Sequence, residues 1–164
     1  MSAALLVADS GPLIALARLD LLALPSRVFG EAIVTATVWH EVTRAPPPAE
    51  GAALEHALQS GWVRVVDDPQ DMPPALADTQ LDAGERSAIA LALALQATVL
   101  VDERRGRTSA KGLGLHVLGT LGLLVRARDA GMVERVRPLA DALLASGYFL
   151  SSALVEHTLA SIGE

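Results

Sequence analysis

The chain has 164 residues, a length that favours one domain, and no cysteine, which excludes disulfides and thiolate zinc sites. Hydrophobic residues make up 51% and aromatics only 3%, so the core must be built from Leu, Ala, Val and Ile. The net charge of −6 argues against a general nucleic-acid binder, because phosphate contacts need Lys and Arg. No apolar run approaches the ~20 residues of a membrane helix. No basic region precedes the first apolar segment and Asp9 interrupts it, so a signal peptide is not expected. Without cysteines, the chain fits a reducing cytoplasm.

In chain order, residues 4–9 are predicted as the first strand, broken by Ser10-Gly11-Pro12. Pro12 suits the first turn of a short helix carrying Leu13, Leu16, Ala17 and Leu19. A loop is expected around Leu24-Pro25-Ser26, then a brief strand at Ala32-Ile33-Val34. Thr35 or Thr37 opens a helix to about Thr43, which Pro46-Pro47-Pro48 stops. Ala49 to Ser60 reads as helix, closed by Gly61. Trp62 to Val66 reads as a sheet-edge strand, and Asp67 to Gln80, with four Asp and three Pro, as a polar loop. A helix over 84–96, a strand over 98–102, a helix over 104–113 and a strand at 115–118 follow. Three more helices are expected over 119–130, 136–146 and 151–162. Alternating strands and helices imply a parallel sheet with helices on both faces, an α/β/α sandwich.

Two of these strands end in acids, Asp9 and Asp102. In open α/β sheets ligands bind outside the carboxyl ends of strands, so both stand where a site is usually built. Asp9 could instead cap the following helix, a role Ser10 could also fill. Glu41 shares a helix face with Thr37; on the bare sequence it is either a site residue or a solvated carboxylate beside His40 and Arg44. Glu85 lines up with Ile89 and Ala92, so it should point inward, where a lone carboxylate is costly unless paired, protonated or bound to metal. The stretch Asp82-Ala83-Gly84-Glu85 also matches a capping box, which competes with that reading. Spacing does not decide between Asp102 and Glu103; Asp102 is the favoured ligand, with Glu103 and Asp82 as secondary ones.

Gathered carboxylates raise one another's pKa or recruit a cation. An all-oxygen donor set points to Mg²⁺ or Mn²⁺ rather than Zn²⁺. Such a site can activate water and clamp a scissile phosphate. The four histidines are isolated and read as ordinary side chains. No phosphate-binding glycine loop and no serine-hydrolase motif occurs. Arg104, Arg105, Arg107 and Lys111 cluster just after Asp102; they form either a solvated helix face or a strip that steers RNA.

The order of these pieces resembles the PIN domain superfamily, and within it an uncharacterised group related to VapC-type toxins. The matching segments are Val7-Ala8-Asp9-Ser10-Gly11-Pro12-Leu13, Val38-Trp39-His40-Glu41-Val42, Leu81-Asp82-Ala83-Gly84-Glu85-Arg86-Ser87-Ala88-Ile89-Ala90-Leu91-Ala92, and Leu100-Val101-Asp102-Glu103-Arg104-Arg105-Gly106-Arg107, leading to Gly119-Thr120-Leu121-Gly122. The resemblance spans nearly the whole chain. It implies a three-layer fold and a Mg²⁺- or Mn²⁺-dependent ribonuclease with Asp9, Glu41, Glu85 and Asp102 as ligands. Ser10 and Thr120 would be their polar partners. The third acid is commonly Asp in the toxins and here is Glu85; an aromatic often follows the fourth acid, where this chain has Arg104-Arg105. Residues 135–164 extend beyond the compact toxin core as a helical addition to a single 1–164 domain.

The expected activity is therefore RNA phosphodiester hydrolysis, with an antitoxin protein as partner. A non-catalytic interaction or RNA-binding protein of the same fold is the alternative, and a metal-dependent phosphatase a third class. A homodimer is expected from the apolar C-terminal helices, through residues such as Leu143, Leu144, Leu150 and Leu154; burial within one chain explains these residues equally well.

Overall fold

The computed structural model describes residues 4–77 and 80–164. Strand β1 (Leu5–Ala8) leads into helix α1 (Ser10–Arg18) and then α2 (Leu24–Phe29). The loop expected around Leu24 is thus a helical turn and a half. Pro25 sits in its first turn, where its missing N–H is no loss, and Leu24 is buried. Strand β2 (Glu31–Thr35) precedes α3 (Ala36–Thr43) and α4 (Pro48–Gln59), so Pro48 begins a helix rather than only ending one. Strand β3 (Arg64–Val66) follows, then the short α5 (Pro74–Ala77) inside the expected polar loop, anchored by the fully buried Leu76. Asp78 and Thr79 of that loop lie outside the described residues. Next come α6 (Ala83–Leu95), β4 (Thr98–Leu100), α7 (Arg104–Gly112), β5 (Val117–Leu118), α8 (Thr120–Asp129), α9 (Arg137–Ala145) and α10 (Ser152–Ser161).

Among the described residues the five strands form one parallel sheet in the order β3-β2-β1-β4-β5. Helices flank it in an α/β/α sandwich. Helix α6 lies against β1, β2 and β4, while α2 packs on β1 and β2 and against α8. The strands read as unbroken apolar runs because both faces are covered: Leu6, Val7, Val34, Val99 and Leu100 have no measurable exposure.

The strand order fixes where a site can form. The chain builds outward from β1 through β2 to β3, then crosses to the other side of β1 for β4 and β5. The reversal falls between β1 and β4, and the crevice at their carboxyl ends is the usual ligand position. The Asp9 N–H donates to the Leu100 carbonyl at 2.9 Å, extending that ladder to the first acid.

A buried polar pair locks α3 and α6 together behind this crevice. Thr35 Oγ1 caps α3 by accepting from the Val38 N–H at 3.1 Å, and it meets Ser87 Oγ at 2.8 Å. Ser87 Oγ also bonds the Gly84 carbonyl at 2.9 Å.

The C-terminal helices share the main core through Val136, Ala140, Val155 and Leu159. Arg18 on α1 reaches Glu50 on α4 and the Ser146 carbonyl after α9. Glu164 accepts from the Val136 and Arg137 N–H groups, both at 3.0 Å, and so closes the start of α9, which has no cap of its own. Of the leucines expected at a dimer interface, Leu143 is fully buried within the chain and Leu150 packs against the core. Leu144 and Leu154 remain exposed.

Thr35→Val keeps the volume but removes the α3 cap and the bond to Ser87. It is expected to cost about 1–2 kcal/mol in urea unfolding. Ser87→Ala, which leaves the cap in place, should cost less.

Candidate metal centre at the sheet switch point

Asp9 stands at the N-terminal boundary of α1 in extended conformation, yet its side chain makes no capping bond. The capping role weighed for it is therefore not the one it performs. Asp9 is 6% exposed, and its Oδ1 is fully enclosed with no hydrogen-bond partner among the described residues. A buried carboxylate oxygen without a partner is expensive, so the group resists ionisation. Burial pushes the Asp9 pKa up to about 7 from 3.8; the Ser10 backbone N–H pulls it down, and the charges of Glu85, Asp82 and Glu41 push it further up.

Glu85 is also buried, on the first turn of α6, with Ile89 and Ala92 below it in the core as the helical spacing requires. It completes a capping box. Its N–H donates to Asp82 Oδ1 at 2.8 Å, and its Oε2 accepts from the Asp82 N–H at 3.3 Å. The two readings of this segment are thus not exclusive, since the box fixes a carboxylate that still faces the other acids. Burial raises the Glu85 pKa, followed by the charge of Asp82, with smaller upward pushes from Glu103 and Glu41.

Glu41 is exposed at the rim. Ser10 Oγ donates to its Oε2 at 2.6 Å, tying α1 to α3. Its carboxylate lies against the first turn of α6, so close that a Cβ on Gly84 would stand 2.5 Å from Oε2. No local pattern marks this role of Gly84: only a bare backbone lets Glu41 reach the positive end of α6.

Asp102 is half-buried beyond β4. Its Oδ1 accepts from the Thr120 N–H at 2.7 Å, and its Oδ2 from Thr120 Oγ1 at 2.6 Å. Oδ2 also accepts from Tyr148 Oη at 2.5 Å. Thr120 is thus a direct partner of the fourth acid. Tyr148 was missed because nothing local marks it; it follows α9, 46 residues further along the chain. Glu103 is exposed at the boundary of α7 without a capping bond, and its charge adds to the upward push on Glu85.

The basic cluster divides. Arg104 and Arg105 are exposed and, with Gln80, Leu81, Thr108 and Ser109, line a shallow groove of about 380 Å³. Lys111 is exposed in the last turn of α7. Arg107 departs from the solvated-strip expectation: its Nη1 donates to the Val101 carbonyl at 3.2 Å, and the guanidinium lies against Gly119 beside Asp102. It braces the end of β4 rather than reaching into solvent.

The donor set fits a hard divalent cation, being all oxygen with one enclosed oxygen unpartnered. Among the described residues, however, no three acidic or histidine side chains converge into a ready-made cage. Asp9 and Glu85 are buried, Asp102 is half-buried, and Glu41, Asp82 and Glu103 are exposed.

The raised Asp9 pKa makes a signed prediction for the metal-free protein. The folded state takes up a proton near pH 7, which the unfolded chain binds only near 3.8, so stability increases as pH falls through that window. Above pH 7, Asp9→Asn should be more stable than wild type by roughly 2–4 kcal/mol, and the gap should close by about pH 4. Urea unfolding of both proteins in chelator across this range checks it; parallel curves would contradict the burial of an ionised Asp9.

Among curated proteins none matches the chain. Among solved structures it is similar to a PilT N-terminus domain protein from the hyperthermophilic archaeon Sulfolobus solfataricus. The TM-score is 0.56 at 19% identity, over 74% of this chain and 91% of that one, a likeness of fold. The family model for DUF3368, described as a PIN domain, matches residues 5–164. With its parallel sheet, its acids at the switch point and that match over almost its full length, the chain belongs to the DUF3368 family of PIN domains.

Proposed function

We propose that this protein is a metal-dependent endoribonuclease, the toxin half of a toxin–antitoxin pair. PIN domains are generally nucleases that use divalent metals, which supports the nuclease part of the reading; the RNA substrate and the toxin role extend it. The observation that carries the proposal is the enclosed Oδ1 of Asp9, unpartnered among the described residues, with the charges of Glu85, Asp82 and Glu41 acting on it at the switch point. An apolar or purely structural role gives no reason to retain that charge there.

Asp9, Glu41, Glu85 and Asp102 would hold Mg²⁺ or Mn²⁺, which when bound supplies activation of water and neutralises charge on the scissile phosphate. The chain's own residues do the rest. Ser10 and the bare backbone at Gly84 set Glu41, the capping box sets Glu85, and Thr120 sets Asp102. Arg104 and Arg105, with Lys111 further along α7, offset the acidic rim and draw the phosphate backbone toward it. The exposed side chains of Leu144, Phe149 and Leu154 support self-association through the C-terminal helices.

The absence of three converged carboxylates among the described residues favours a second reading, a non-catalytic RNA-binding or interaction protein. Calorimetry decides between them. Wild type should bind Mn²⁺ and cleave RNA, and the Asp9→Asn, Glu85→Gln double variant should be folded and do neither. Equal or absent Mn²⁺ binding in both proteins would favour the interaction protein. For the basic groove, Arg104→Glu with Arg105→Glu should weaken RNA binding and lower the salt slope by roughly two. An unchanged slope would remove this groove from the RNA path.

A further inference from the structure

We propose that Tyr148 is a positioning residue of the candidate metal centre, and that through it the C-terminal helices are coupled to cation binding. The inference rests on reading the acidic cluster as a cation site. Tyr148 lies in the segment between α9 and α10, outside the five-stranded sheet and the helices that connect its strands. Its hydroxyl nevertheless ends on Asp102 Oδ2 at 2.5 Å, alongside Thr120 Oγ1.

A carboxylate offers about four lone-pair directions. Three are taken on Asp102: Oδ1 by the Thr120 N–H, and Oδ2 by the two hydroxyls. The two hydroxyls on Oδ2 therefore decide how the carboxylate is turned. Partners of this kind orient a ligand and tune its affinity for metal.

The contact is fitted from the opposite side as well. A Cβ on Gly11 would stand 3.1 Å from Tyr148 Oη, so the tyrosine is seated against the first turn of α1, next to Asp9. Ala is the better helix former by about 1 kcal/mol. Glycine at this position keeps the space into which the hydroxyl reaches. One phenol thus touches the structure after β1 and the structure after β4, the two strands that flank the switch point. Arg18, through the Ser146 carbonyl, fastens the same segment to α1 two residues earlier.

Tyr148 is the chain's single tyrosine, which makes it observable by itself. Protein carrying 3-fluorotyrosine should give one fluorine resonance, and Mg²⁺ should shift it in wild type but not in Asp9→Asn. Separately, Tyr148→Phe should remain folded by circular dichroism and bind Mn²⁺ roughly 10-fold more weakly by calorimetry. Gly11→Ala should weaken Mn²⁺ binding in the same direction without lowering thermal stability. A wild type that binds Mn²⁺, with an unmoved fluorine resonance and equal affinity in Tyr148→Phe, would overturn the proposal and leave the cation site standing. A wild type that binds no cation would overturn both.

Discussion

The cost of burying one carboxylate organises this molecule. Asp9 is held at the reversal point of the sheet with an oxygen that no described residue satisfies, and its neighbours repel it. A fold optimised only for stability would replace it with an apolar or neutral residue of similar size. The surrounding polar contacts tie together the helices that carry the other acids. The Thr35–Ser87 pair fixes α3 to α6, and Ser10 bridges α1 to α3. Each of these contacts spends polar groups on placement where hydrophobic packing would have been simpler, as expected where a site is held together at the expense of stability.

Much of this was legible in the sequence, for identifiable reasons. Short runs of Val and Leu ending in Asp marked β1 and β4, because a strand covered on both faces has no room for polar residues. The inward direction of Glu85 followed from its register with Ile89 and Ala92. The capping box at Asp82 was visible in the spacing alone, and the structure adds that this box and the acidic cluster use the same glutamate.

Other features were hidden because they depend on distance rather than on pattern. Tyr148 meets Asp102 only after α8 and α9 have returned the chain to the sheet edge, and no local signal encodes that. Arg107 looked like one more member of a basic run; its position one turn into α7 folds it back onto the Val101 carbonyl. The helix at Leu24 was obscured by Pro25, a residue that breaks a helix interior but suits its first turn. Gly84 carried no meaning until the Glu41 carboxylate was found occupying the volume of its missing side chain.

The sheet order has a consequence for the order of synthesis. β1 is made well before β4, its neighbour across the switch point, which begins at Thr98, and the segment with Tyr148 emerges later still. A nascent chain that has delivered Asp9, Glu41 and Glu85 to the solvent has no β4 against which to assemble them. The Asp102–Tyr148 contact can therefore form only after the segment following α9 has been made.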